Sequence, residues 1–326
     1  MVTNYCKVPA RLLAIVLIAA TAAGVQAADS LGVNFDSYAA GDLPGNNTPT
    51  DNRTAGDDTT WWVPSNAATS AEVRAGVGLG GTQGLVIGNR GNGNDGVIDN
   101  VKSPRLAESA GETGTSSGAG GTIASGKIFR SEYSFRTASD TAVDGFSFKS
   151  ETYGPDRTTY FGAFYQTAFG DTSLNALAYE IRDDNGVDDD LDGFIYDFIA
   201  HPIASNLAWG EWYRVVTEIT FVDGADNDVV DHFLYDSANT LVGSATGLRT
   251  WEEGARQFGY NGGQVFGVDA VQFQARGASL NGAGVPHDVA FVDNLSYSVV
   301  PEPATLGLAG VAVLGAFIAR RRRAAA

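Results

Sequence analysis

The run Asp183-Asp184-Asn185-Gly186-Val187-Asp188-Asp189-Asp190-Leu191-Asp192-Gly193 comes closest, in this 326-residue chain, to residues spaced for chemistry. Asp188, Asp190 and Asp192 alternate, and Gly193 follows them. That is the first half of a calcium loop, in which alternate carboxylates converge on one cation and the glycine allows the sharp turn. A complete loop of this kind carries a bidentate glutamate at its twelfth position, where Ile199 stands here. The run therefore reads either as a weak Ca2+ site on Asp188, Asp190 and Asp192 or as a solvated acidic turn.

Catalytic chemistry has fewer candidates. The one cysteine, Cys6, lies ahead of an apolar N-terminal run, and no Gly-x-Ser-x-Gly elbow occurs. His201, His232 and His287 are scattered without zinc-ligand spacing, and His232, in an alternating segment, reads as structural. Trp61 and Trp62 are consecutive, so in a strand they face opposite ways, one into a core and the other outward or under a loop. Trp209, Trp212 and Trp251 read as strand-end packing ahead of a platform for sugar rings. No catalytic residue and no carbohydrate-binding residue is assigned, and the chain is expected not to be an enzyme.

Whatever these residues do, strands must position them. Between residues 28 and 300 helical periodicity is almost absent, while short alternating runs recur between Gly, Asp and Asn. Phe129 to Phe135 alternates aromatic and polar residues, and Trp212 to Phe221 puts Tyr213, Val215, Ile219 and Phe221 on one face. Phe161 to Gln166, Leu174 to Ile181, Val229 to Tyr235, Ala270 to Arg276 and Val289 to Val299 read similarly. Strands at this density without intervening helices predict an all-β antiparallel sandwich. The Gly/Ser/Thr-rich stretch Glu108 to Gly126 reads as a loop inside that domain rather than a linker.

Both ends carry transport signals. Lys7 and Arg11 precede the apolar run Leu12 to Ala20, and Val25-Gln26-Ala27 supplies small residues for a signal peptidase, which predicts a signal helix within residues 1–27. At the other end Pro301-Glu302-Pro303 is followed by a charge-free apolar stretch over 304–319 and by Arg320, Arg321, Arg322 and Arg323. The stretch is just long enough to cross a membrane, with the arginines on the cytoplasmic side. Removing Lys7, Arg11 and Arg320 to Arg323 from 21 basic residues, and Glu302 from 38 acidic ones, leaves 15 against 37 and a body of net charge −22. So acidic a body repels nucleic acid and anionic lipid, attracts divalent cations, and, without cysteine, folds without disulfides.

Pro301-Glu302-Pro303, the Gly/Ala/Leu-rich helix and the arginine cluster, in that order, resemble the PEP-CTERM sorting signal over residues 301–326. The resemblance implies a Gram-negative host, an exosortase that cuts near Pro301-Glu302-Pro303, transient anchoring in the inner membrane, and release to the surface or matrix. The body, residues 28–300, is similar to the concanavalin-A-like, laminin-G-like jelly rolls. Three phrases carry that likeness: Val33 to Gly45 with Trp61-Trp62-Val63, Glu211 to Arg214 leading to Phe221 to Val230, and Val289 to Leu295. It implies two curved antiparallel sheets with first and last strands adjacent. Hydrolases of that class carry Glu-x-Asp-x-Glu on one strand, and the nearest echo here, Glu180-Ile181-Arg182-Asp183, lacks the second glutamate.

The combined expectation is a non-catalytic structural or carbohydrate-binding component of an exopolysaccharide layer. Signal peptidase and exosortase are its partners in export, and extracellular polysaccharide is its candidate ligand. A polysaccharide-active hydrolase or lyase with an unrecognised site, and a protein-binding adhesin, are the alternatives. We expect the mature protein to end near residue 300, so that mass spectrometry of native surface protein finds no peptide from Leu306 to Ala319. Abundant intact tail in the mature pool would leave a plain membrane anchor instead.

Overall fold

Buried and partly exposed side chains alternate along stretches such as 174–180 and 229–235, as a half-buried antiparallel sheet requires, while 84–88, 150–153 and 270–274 are buried on both faces. The computed structural model describes residues 29–43, 45–46, 61–63, 69–89, 100–106, 108–111, 122–123, 128–154, 159–168, 171–183, 196–222, 227–251, 267–276 and 287–300. The expected signal peptide (1–27) and the tail with Pro301, Glu302, Pro303, the helix 304–319 and Arg320 to Arg323 lie outside the described residues. So does the acidic run with Asp188, Asp190 and Asp192. Among the described residues no helix is long and apolar enough to cross a membrane.

The strands, in chain order, are β1 (Asp29–Val33), β2 (Gly41–Asp42), β3 (Gly45–Asn46), β4 (Trp61–Trp62), β5 (Thr69–Arg74), β6 (Gly84–Asn89) and β7 (Asn100–Lys102). There follow β8 (Glu108–Gly111), β9 (Thr122–Ile123), β10 (Ile128–Thr137), β11 (Ser147–Tyr153), β12 (Thr159–Gln166), β13 (Leu174–Asp183) and β14 (Tyr196–Leu207). The last are β15 (Trp212–Thr220), β16 (Val229–Tyr235), β17 (Leu241–Leu248), β18 (Gly267–Val268), β19 (Ala270–Arg276) and β20 (His287–Val300). A nine-stranded sheet orders β17-β16-β15-β10-β20-β6-β5-β2, with β1 also on β20; an eight-stranded sheet orders β14-β13-β12-β11-β19-β7-β4-β3; and a small third sheet orders β18-β8-β9. Among the described residues, only β3 with β4 and β8 with β9 pair in parallel. First and last strands are adjacent, Asp29 opposite Val299, as the jelly-roll resemblance implied.

The two sheets share one apolar core. From the nine-stranded sheet, Phe135 on β10 lies 4.2 Å from Tyr165 on β12 and 5.2 Å from Phe148 on β11, centroid to centroid. Tyr133 meets Phe273 on β19 edge-on at 5.1 Å. Tyr213, Val215, Ile219 and Phe221 are all buried, on the face their spacing predicted. Thr217 shares that face and contacts His232 Nδ1 at 2.9 Å, while Tyr165 Oη contacts Nε2 at 3.1 Å. Both nitrogens of this fully buried imidazole therefore have hydroxyl partners between the sheets, which is the structural role its position suggested.

Two of the phrases behind the resemblance acquire physical reasons. Asn294, inside β20, takes φ 51°, a left-handed conformation that asparagine tolerates better than most residues, and the register with β10 shifts there. Beside it, the Asp293 carboxylate accepts hydrogen bonds from Leu79 N at 2.8 Å and Asn294 N at 2.7 Å, tying the 79–81 turn to the last strand. Asn34 caps the 35–37 turn by accepting from Asp36 N, and this seats the fully buried Phe35 against Trp61. The described parts of Glu108 to Gly126 are strands: β8 pairs with β18, and Ser109 donates to the Asp269 carboxylate that also holds Arg105 at 3.0 and 3.1 Å.

Burial pushes the His232 imidazole down from 6.5 to about 3. Between those values the unfolded chain binds a proton that the folded one refuses, so stability is full above pH 6.5 and falls as pH drops toward 3. The slope is about 1.4 kcal/mol per pH unit for one proton. Burial raises the Glu151 carboxyl, which acts in the opposite sense. Because Glu151 is common to wild type and variant, it cancels between them. We expect His232→Gln to flatten the pH dependence of denaturant unfolding between pH 6.5 and 4 by close to one proton; parallel curves for the two proteins would contradict this.

Candidate functional site

The alternation that points aromatic rings into the core fixes what the eight-stranded sheet shows on its other side. On β11, Phe148 is buried in the core and Lys149, Glu151 and Tyr153 take the opposite parity. On β12, Phe161, Ala163 and Tyr165 point inward and Gly162, Phe164 and Gln166 outward. On β19, Val271 and Phe273 point inward and Gln272 and Gln274 outward; on β7 and β4, Val101 and Trp61 are core, so Lys102 and Trp62 are not. Strand register lines these residues up. Tyr179, Gly162, Glu151, Gln272, Lys102 and Trp62 stand opposite one another across six strands. Leu177, Phe164, Lys149, Gln274 and Asn100 form the next row.

The centre of the face is a hydrogen-bonded polar cluster. The Glu151 carboxylate, 3% exposed, pairs with Lys149 and accepts from the Gln272 amide, with the Gln274 amide at 3.4 Å. Desolvation raises its pKa, and Lys149, Gln272 and Lys102 pull the other way. Lys102 Nζ donates to Tyr153 Oη at 2.9 Å and lies 4.1 Å from the Tyr153 ring centroid and 4.8 Å from that of Trp62. Lys149 Nζ lies 4.7 Å over Phe164 and 5.5 Å over Trp251. Trp251 reaches this place because β12 has a glycine there: a Cβ on Gly162 would sit 2.8 Å from the indole ring. Its Nε1 donates to Tyr179 O at 2.8 Å. Beside the cluster a cavity of about 270 Å³ is lined by Lys149, Phe164, Gln166, Gln274, Phe146 and Thr167.

An aromatic face, an ammonium group and primary amides around one cavity suit a sugar ring, whose C–H face stacks while its hydroxyls exchange hydrogen bonds. Glu151 is the only carboxylate on β7, β11, β12 and β19. Hydrolysis by a facing carboxylate pair therefore has only one of its two acids on these strands.

The sequence singled out other positions. Trp61 is core and Trp62 faces outward beside Lys102, as consecutive strand residues must. Trp209 packs edge-on against Phe146 at 5.2 Å and Trp212 opens β15 opposite Arg136, both at strand ends. Glu180 has the parity of the core-facing Ala176 and Ala178; it accepts from Arg249 N at 3.0 Å and pairs with His201 at 3.0 Å, tying strands together away from the outer face. His201, His232 and His287 stand on β14, β16 and β20, and among the described residues no group of three His, Cys, Asp or Glu could hold a metal ion. Lys102, Lys149, Glu151, Tyr153, Phe164, Gln272 and Gln274 were not anticipated. The signal that could have pointed to them is scarcity: the chain has four lysines, Lys7, Lys102, Lys127 and Lys149, and two of them meet here.

Residues 299–323 match the family model described as the PEP-CTERM protein-sorting motif, so the chain carries the sorting signal of an exported, exosortase-processed surface protein. No curated protein matches the chain. Among solved structures it is similar to an endo-β-1,4-glucuronan lyase from the fungus Trichoderma reesei, at 12% identity and TM-score 0.42, covering 78% of this chain and 94% of that one. A marine PL-14 alginate lyase from Aplysia kurodai is similar at 11% identity and TM-score 0.43, over 84% of this chain and 99% of that one. The winged bean acidic lectin is similar at 13% identity and TM-score 0.35, over 84% and 100%.

Proposed function

We propose that the exported protein is a non-catalytic, carbohydrate-binding component of an extracellular polysaccharide layer, and that it binds through the outer face of its eight-stranded sheet. One observation carries this reading. A cavity with an aromatic wall, Phe164, and polar groups at Lys149, Gln166 and Gln274 adjoins a register-matched row that ends in aromatic residues, Tyr179 and Trp62. Glu151, Gln272 and Lys102 in the middle of that row are buried, so the cavity is where a sugar ring would enter. The sorting motif supports a role at the cell surface, since it is a signal for export. Calcium on Asp188, Asp190 and Asp192 belongs to this reading as a stabiliser of the acidic body rather than as part of the binding face.

A second reading, a polysaccharide-active enzyme, is favoured by the Lys102 Nζ to Tyr153 Oη contact of 2.9 Å, since a phenol and an amine at that distance can pass a proton. Both readings use the same face and differ in turnover. We expect the exported protein to be retarded in gels containing a cognate extracellular polysaccharide, Phe164→Ala and Gln274→Ala each to weaken the retardation about tenfold, and no reducing ends or unsaturated products to accumulate. Retardation unchanged in both variants would exclude this face, and product release abolished by Tyr153→Phe would establish the enzyme instead.

A further inference from the structure

We infer that the cavity on this face takes one neutral, hydroxyl-bearing sugar ring and discriminates against uronates and sulfated sugars; the inference rests on the binding face proposed above and specifies its ligand.

The hydrogen-bonding groups of the wall are the first argument. Register places Phe164, Lys149 and Gln274 in one row across β12, β11 and β19, and Gln166 and Ser147 in the next. Gln274 is 9% exposed, and its amide meets the Glu151 carboxylate at 3.4 Å. An ionised carboxylate only accepts, so the amide turns its NH2 group to Glu151 and keeps its carbonyl oxygen for another donor. Among the described residues nothing donates to that oxygen, and the half-buried Gln166 amide has no hydrogen-bond partner there either. Polar groups so far withdrawn from water are ordinarily paired. Both amides line the cavity, together with Ser147. A ligand that completes this wall has to donate to Gln274 and exchange both kinds of hydrogen bond with Gln166. A sugar hydroxyl does both, whereas a carboxylate or sulfate only accepts.

Charge is the second. Among the described residues that line the cavity, Lys149 alone is charged, and it is already paired with Glu151. An anionic ligand would have to draw Lys149 away from a carboxylate that is itself buried, and an uncompensated buried charge is costly. The surroundings act in the same sense. Asp144 precedes the lining residue Gly145, Asp171 stands four residues beyond the lining Thr167, and both are exposed. The body as a whole carries 37 acidic residues against 15 basic ones once the two transport signals are set aside. An approaching anion is repelled by all of these, while a neutral ring meets no such barrier.

Size is the third. The cavity is about 270 Å³. That is just short of the roughly 300–1,000 Å³ of pockets that enclose drug-sized ligands, so one ring fills it and the rest of a chain lies outside. The floor does not extend the site toward the centre of the sheet, because Glu151 and Gln272 in the adjoining row are buried. Phe164 supplies the apolar wall for the C–H side of the ring, and Tyr179 holds it edge-on at 4.7 Å between centroids.

The test measures binding of the exported protein to a neutral glucan, a galactan and a mannan with free C6 hydroxyls, and to the same three polymers after oxidation of those hydroxyls to carboxylates, at low and high salt. Gln166→Leu removes an amide without breaking a hydrogen bond among the described residues, and Phe164→Ala removes the wall; thermal unfolding checks that each variant is folded. We expect at least one neutral polymer to bind with an affinity that salt leaves unchanged, its oxidised form to bind at least tenfold more weakly, and Gln166→Leu to weaken the neutral polymer about tenfold. Disaccharide and hexasaccharide fragments of that polymer should compete within tenfold of one another at equal molarity. An oxidised polymer that binds as tightly as its neutral parent, with Phe164→Ala weakening both, overturns the neutral-sugar inference while leaving a carbohydrate-binding face. A hexasaccharide more than tenfold better than the disaccharide overturns the single ring. Binding to none of the six polymers overturns the inference as well. Neutral-polymer binding that Gln166→Leu and Phe164→Ala both leave unchanged overturns both the inference and the face.

Discussion

The packing of Phe135 against Tyr165 and Phe148 decides which side of each central strand meets the other sheet. Because strand side chains alternate, that contact commits Lys149, Glu151, Gly162 and Phe164 to the opposite side. A slip of one residue on β11 would put Lys149 and Glu151 between the sheets and Phe148 on the outer face, at a cost no compensating contact could offset. The aromatic core thus does two jobs. It supplies the apolar burial that a body without disulfides needs, and it sets the parity from which the outer face inherits its residues. The buried His232, bracketed by Thr217 and Tyr165, locks the same registry from within, since shifting β15 against β16 would strip its imidazole of a partner.

On the outer face the governing energetics are those of withdrawn charge. Removing one member of a buried ion pair leaves the other uncompensated, so Lys149, Glu151 and the two glutamines stand or fall together. Their joint arrangement holds amides, ammonium groups and rings in fixed directions. Preorganisation of that sort matters for a polysaccharide, whose own flexibility makes ordering expensive on binding. Gly162 contributes by its missing side chain: without it Trp251 could not lie against β12 and cover the Lys149 side of the cluster.

Much of the fold was legible in the sequence because its strands read cleanly. Runs such as Trp212 to Phe221 and Val229 to Tyr235 bury one face and solvate the other, and their ends fall within a residue of where the alternation stops. Strand β11, Ser-Phe-Lys-Ser-Glu-Thr-Tyr, was not legible, since it buries polar residues on both faces and so lacks a hydrophobic period. The site failed to show for a related reason. It is assembled from positions 62, 102, 149 to 153, 162 to 166 and 272 to 274, each contributing one to three residues that look like ordinary strand surface. Only the sheet order, with β19 between β11 and β7, brings them together. The tail, by contrast, is a local signal read from contiguous residues, and it was identifiable at once.

The scarcity of lysine provides the most direct test that the outer face of the eight-stranded sheet is where the protein meets its polymer. Outside the expected signal peptide, Lys102, Lys127 and Lys149 are the only lysines, and each lies in a different part of the sequence. Acylation of the exported protein with an amine-reactive label, read by mass spectrometry with and without saturating polysaccharide, reports on all three at once. The account predicts that bound polymer slows labelling of Lys149, and of the more deeply placed Lys102, while Lys127 labels at an unchanged rate. Unchanged labelling of Lys149 while the polymer is demonstrably bound would place the binding surface elsewhere and contradict the account.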